Sequence, residues 1–182
     1  MPPSSRRPGF TLVELLVVVS IIGFLAAAAF LSVSYSQKKS RDTKRKADLR
    51  QIQKALELYN DDNQTYPSTG GVWFGTCAGG VGATISGITG AGGYVPSLAP
   101  AYIPVLPTEP KPSVKQPNIP CAAVANDCYI YKSDGLTYKI ASVCGYETTY
   151  PPSQDPFYDQ AATNYRIALE GGVDPQTAWS SW

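Results

Sequence analysis

Histidine is missing from all 182 residues. Its absence removes the usual general base near neutral pH, the Ser-His-Asp and Cys-His nucleophile arrangements, and the commonest zinc sites. Cysteine is scarce, with Cys77, Cys121, Cys128 and Cys144 the full set. No two of them form a Cys-x-x-Cys pair, and a zinc site would need all four at spacings of 44, 7 and 16, which fit no common finger. Disulfides in an oxidising compartment account for them better. Charge is balanced, 15 basic against 14 acidic residues for a net +1, so no global field points to nucleic acid or to an acidic substrate. The "GAGG" at 90–93 is not a phosphate loop, since no Gly-Lys-Ser/Thr follows it. No catalytic site, metal or cofactor is expected.

Charge is also missing locally, and that absence is informative. From Leu15 to Gln37 there is none for 23 residues, a length that spans roughly the 30 Å of a bilayer's hydrocarbon when helical. Yet "RRPGFTLVELL" (6–16) places an acid, Glu14, at the start of this run. An ionised side chain at the bilayer centre costs about 2.5–3.5 kcal/mol, so Glu14 either sits at the interface or meets a cationic partner. Beyond the run the helical pattern continues: Leu49, Ile52, Leu56 and Tyr59 make one apolar stripe, with Ala55 beside it. Asp42 stands four residues before Lys46 in the favourable order. Asn60, Asp61, Asp62, Asn63 and Pro67 supply stop signals. The pattern predicts one helix over 10–62, apolar all round in its first half (10–35) and amphipathic in its second (36–66).

Residues 67–182 have the texture of a small domain. The glycine-rich 68–93 predicts a long loop with at most short strands. The proline-rich 94–120 predicts an extended surface path, with Tyr102, Ile103, Val105 and Leu106 tucked against apolar surface. "CYIYKSDGLTYKIASVC" (128–144) predicts an antiparallel hairpin turning on Asp134-Gly135, so that Lys132 faces Thr137 and Cys128 faces Ala141. That register disfavours a Cys128–Cys144 bridge and leaves two connectivities, with Cys77 joined to either Cys128 or Cys144. "YRIALE" (165–170) is a third strand candidate. The expected class is α+β: a long N-terminal helix, half transmembrane and half amphipathic, packed on a small antiparallel sheet with long loops.

"RRPG" followed by "FTLVELLVVVSIIGFLAAAAF" resembles the class III leader and N-terminal helix of type IV pilins and type II secretion pseudopilins. "DLRQIQKALELYNDDNQTYP" is similar to the helix-to-loop junction of pilin-like proteins of the pseudopilin G type. "YIPVLPTEP" looks like their Leu-Pro-x-Asp-Pro element, with Glu109 where aspartate is usual. The resemblance implies a pilin-like fold and a leader, 1–9, that a prepilin peptidase removes after Gly9. It further implies an N-methylated amine on Phe10, and in the filament a pairing of Glu14 with the Phe amine of a neighbouring subunit. The implied partners are identical and related pilin subunits, the peptidase, an inner-membrane assembly platform, and membrane lipid before assembly. The implied location is the inner membrane, single-pass with the C-terminal domain outside the cytoplasm, then a surface pilus or periplasmic pseudopilus.

Two features pull the other way. Lys38, Lys39, Arg41, Lys44, Arg45 and Lys46 outnumber Arg6 and Arg7, so a positive-inside count alone would hold the globular domain in the cytoplasm. "AAAA" (26–29) offers an Ala-x-Ala site for ordinary signal peptidase, which would release a secreted binding module starting near Phe30, with a tryptophan-bearing tail. Asp155, Asp159 and Asp174 are the acids a C-terminal calcium loop would use, but their spacings match no EF-hand.

Overall fold

The computed structural model describes residues 9–76, 84–110, 128–143, 145–149, 151–159 and 167–172, without the side chains of 28–32 and 85. The chain divides into two compact units, Met1–Lys38 and Lys39–Trp182, and α1 (Leu12–Asn63) contributes to both.

In the first unit every described side chain from Phe10 to Ala27 is exposed, valines, leucines and phenylalanines included. A helix that is apolar on all sides has no face to turn to water and is at home only where other apolar matter surrounds it. Among the described residues no helix is long and apolar enough to cross a membrane. The uncharged span expected at 15–37 includes 28–32, whose side chains lie outside the description.

In the second unit the stripe read from spacing is buried: Leu49, Ile52 and Leu56 are fully enclosed, Ala55 nearly so, and Tyr59 packs at the edge. Each large aliphatic side chain hidden this way contributes about 1.5–3 kcal/mol. The stripe lies in one core with Tyr129, Tyr131, Tyr138, Ile140, Ile167 and Leu169 of a sheet. Among the described residues the sheet has five strands: β1 (Phe74–Gly75), β2 (Thr84–Ile85), β3 (Cys128–Ser133), β4 (Thr137–Val143) and β5 (Ile167–Gly172), in the order β2-β1-β3-β4-β5. Four are antiparallel neighbours, and β2 adds a short parallel edge. The three tyrosines reach polar partners through the core: Tyr129 donates to Asp48 (2.8 Å), Tyr131 to the Pro67 carbonyl (2.9 Å) and Tyr138 to Glu57 (3.0 Å). Each ring thus buries its apolar body and keeps its hydroxyl satisfied.

Two local expectations are corrected. The hairpin spans the expected residues but pairs Lys132 with Lys139, Ser133 with Tyr138 and Cys128 with Val143, two residues longer at the turn than Asp134-Gly135 alone would make it. The cause is the Asp134 carboxylate, which accepts the N–H groups of Leu136 and Thr137 (2.9 and 2.8 Å) and so keeps both from pairing with β3. Gly135, at φ +97°, turns its carbonyl to the Tyr66 N–H and the Thr65 hydroxyl, which clamp the tip. The second correction concerns 94–110, a series of turns rather than an extended surface path. Tyr94, Val95, Leu98, Ala99, Ile103 and Leu106 enter the core from it, while Val105 stays half exposed. Proline had excluded helix and strand there, but turns also bury side chains. The strand expected at 165–170 is found over Ile167–Gly172, with Tyr165 and Arg166 outside the described residues.

Candidate assembly site

Gly9 and Phe10 precede α1 in open space, with Phe10 79% exposed. Thr11 caps the helix. Its hydroxyl accepts the Glu14 N–H (3.2 Å), while Glu14 Oε2 accepts both the Thr11 N–H (2.9 Å) and the Thr11 hydroxyl (2.7 Å). This reciprocal arrangement is a capping box, which satisfies two of the donors that a helix start leaves without partners. Thr11-Leu12-Val13-Glu14 spells its sequence pattern, a signal the reading of Glu14 as a lone acid overlooked. Glu14 therefore has an employment within its own chain before any neighbour is considered. The described hydrogen bonds of its carboxylate both fall on Oε2.

Half of the basic run after the apolar segment is structural: Arg41, Arg45 and Lys46. Arg41 grips Glu147 with two nitrogens (2.5 and 2.6 Å). Arg45, with no exposed surface, bonds Glu109 (2.8 Å from Nε), Asp42 (2.7 Å) and Glu147 (3.3 Å). Asp42 in turn accepts the N–H groups of Glu147 and Thr148 (both 2.9 Å) and the Thr148 hydroxyl (2.7 Å). Lys46 pairs with Asp155 (2.8 Å) and lies over the Phe157 ring. Burial by itself would raise the Glu147 carboxyl, but hydrogen bonds and charge from Arg41 and then Arg45 outweigh it and hold it below its usual value. No spacing in the sequence joins Arg45 to Glu109 and Glu147, because the contacts span 64 and 102 residues. The favourable Asp42–Lys46 pair is replaced by Asp42–Arg45 and Lys46–Asp155.

Of the cysteines only Cys128 is described, and it is disulfide-bonded; Cys77, Cys121 and Cys144, and with them the connectivity, lie outside the described residues. Val143, rather than the expected Ala141, stands opposite Cys128. Asp155 and Asp159 are engaged by Lys46 and Lys139, Asp174 lies outside the description, and among the described residues no group of three side chains could hold a metal ion.

Residues 4–30 match the family model described as the prokaryotic N-terminal methylation motif. The chain is 42% identical over 64 residues to a type II secretion system core protein G of Pseudomonas aeruginosa, covering 35% of this chain and 45% of that one. It is 35% identical over 69 residues to the core protein G of Escherichia coli, covering 38% and 48%. It is 42% identical over 60 residues to a type IV wide pilus major component of Thermus thermophilus, covering 33% and 46%. The matches thus span about half the length of these relatives. No solved structure matches.

Proposed function

We infer, from an N-terminal third that carries the methylation motif and resembles pseudopilins and a pilin, that this chain is a structural subunit of a type IV pilus-like or type II secretion filament. It is not an enzyme. The observation that carries the reading is a coincidence at one end of the chain: the motif over 4–30, and a helix whose apolar side chains are exposed on every side from Leu12 to Ala27. Lipid covers that surface before assembly, and the helices of other subunits cover it in the filament. An assembly platform in the inner membrane transfers it from one to the other.

Cleavage after Gly9 by a prepilin peptidase leaves an ammonium on Phe10, and N-methylation keeps it cationic. This ammonium and the Glu14 carboxylate of a neighbour cancel each other's desolvation only when the two chains are correctly staggered, so the pair selects register more than it adds stability. The domain after α1 lies outside the cytoplasm, where the Cys128 disulfide persists. The positive-inside count that opposes this topology narrows to Lys38, Lys39 and Lys44 against Arg6 and Arg7, because Arg41, Arg45 and Lys46 have packing reasons to be there; the leader motif and the disulfide outweigh what remains.

The capping box sharpens the test. Glu14→Gln can still accept from Thr11 and keeps the cap, whereas Glu14→Ala removes both cap and charge. Both variants are expected in the membrane, cut before Phe10 and methylated there, as read by N-terminal sequencing and intact mass. Both are expected to lose filaments, counted by immunolabelled electron microscopy in the same cells. Wild-type filament counts for Glu14→Gln would reassign Glu14 to the cap. A native terminus near Phe30 would replace the filament subunit with a secreted module.

A further inference from the structure

Lys139 lies on β4, its side chain 1% exposed, on the face of the sheet opposite the tyrosine-rich core. Its ammonium meets two carboxylates. Asp159 Oδ1 is 2.9 Å away and equally buried; Glu170 Oε1, directly across from Lys139 on β5, is 2.7 Å away and a third exposed. The neighbours two residues along on the same face, Ala141 on β4 and Ala168 on β5, are buried and apolar. Lys132, buried and directly across on β3, is a second ammonium on this face, so the cluster is balanced in charge. Glu170 is nonetheless placed against the Lys139 ammonium as a proton acceptor, which a condensation between Lys139 and Asp159 requires. Lys46 and Asp155 offer the contrast: a pair of similar length, but about a quarter exposed on both sides.

We propose that Lys139 and Asp159 join in an intramolecular isopeptide bond whose formation Glu170 catalyses. Glu170 takes a proton from the ammonium, and the amine's lone pair attacks Asp159 Cγ. Glu170 delivers that proton to an Asp159 oxygen, and the C–O bond breaks. Of the three ammonium protons one remains on the amide nitrogen and two depart with the oxygen as water. Charge balances, nothing is oxidised or reduced, and no co-reactant enters. In bulk water hydration of the two ions opposes this step. Here both ions are stripped of water, so the neutral amide escapes a desolvation cost that the pair must bear. Lys139 Nζ is also already held 2.9 Å from Asp159 Oδ1, next to the carbon it attacks. Glu170's partial exposure opens a way for the water to leave. The product ties β4 to the segment that precedes β5 by a bond no reductant breaks. It is independent of whether the chain forms filaments.

The test is the mass of the full chain purified from membranes of the producing cell, with disulfides reduced and alkylated. The expected mass is one water below that of the processed sequence. Trypsin should leave Lys139 uncut, so that Ser133–Arg166 emerges as one peptide, one water light, which chymotrypsin opens into a branched product joining residues 139 and 159, while cleavage after Lys46 proceeds. Lys139→Arg and Glu170→Gln should each restore the full mass. A native chain of full mass, cut normally after Lys139, overturns the proposal and leaves an ordinary ion pair. A Glu170→Gln chain that still loses the water overturns the role given to Glu170. Because the native mass decides the bond by itself, the outcome does not depend on a variant that folds poorly.

Discussion

Arg45 shows what a single residue can be asked to do. Among the described residues it is the largest fully enclosed side chain, and its five donors are aimed at Glu109, Asp42 and Glu147. Replacing a buried ion network by apolar groups can be neutral, but removing one partner strands the others. Arg45→Leu is therefore expected to cost about 3–5 kcal/mol in denaturant unfolding at neutral pH. The pH dependence separates this from a packing loss. In the native protein Glu147 is held below its usual value, so its contribution is complete above the unfolded carboxyl range, near pH 4, and is lost as pH falls through the lower folded value. In the variant Glu147 keeps Arg41, while Glu109 and Asp42 lose the Arg45 cation in a buried site, so protonation should there favour the fold. The deficit should then shrink as pH falls from 7 toward about 5. A deficit unchanged across that range would assign the loss to packing.

At the scale of elements the sheet is limited by what β5 leaves out. Gly171 stands opposite Tyr138, and a Cβ there would come within 2.5 Å of the ring. That ring cannot retreat, being fully buried, bonded through its hydroxyl to Glu57 on α1 and set edge-on to Tyr66 at 4.7 Å. Gly171→Ala is expected to destabilise by about 1–3 kcal/mol through overpacking, measured as a lowered urea midpoint at constant m-value. The hairpin's residues and partner strand were legible from alternating β-formers around Asp134-Gly135. Its register was not, because the deciding bonds come from the Asp134 side chain and from Thr65 and Tyr66, a loop some seventy residues earlier. The end of α1 was legible too. Its closing geometry puts Gln64 at φ +57° with its N–H on the Asn60 carbonyl (2.8 Å), a position for which glycine or asparagine is the commoner choice.

For the whole molecule the division at Lys38 and Lys39 has a practical consequence. The second unit holds its own core, its own sheet and the Arg45 network, so it should not need the apolar segment to fold. A chain begun at about Ser36 is expected to be soluble and monomeric, with native-like near-ultraviolet circular dichroism. Reducing its disulfides should cost on the order of 2–4 kcal/mol for each loop closed, seen as a drop in Tm. Aggregation of this fragment under oxidising conditions would mean that the apolar helix is part of the domain's fold rather than an anchor.

Short-range chemistry was determined by sequence order itself: a membrane-length uncharged run, an acid five residues after a glycine, a helical stripe from Leu49 to Tyr59, and strands flanking a turn. Each depends on neighbours within a turn or two of helix or across one hairpin, so linear spacing carries the information. The tertiary structure decided what converges from afar. It drew Arg45 to Glu109 and Glu147, let the turns of 94–110 bury Tyr94 and Leu98, and set Lys139 between Asp159 and Glu170. Those groupings come from the folding of loops over a sheet, where a buried charge must find an opposite charge wherever the chain can supply one. No periodicity records which one it will be.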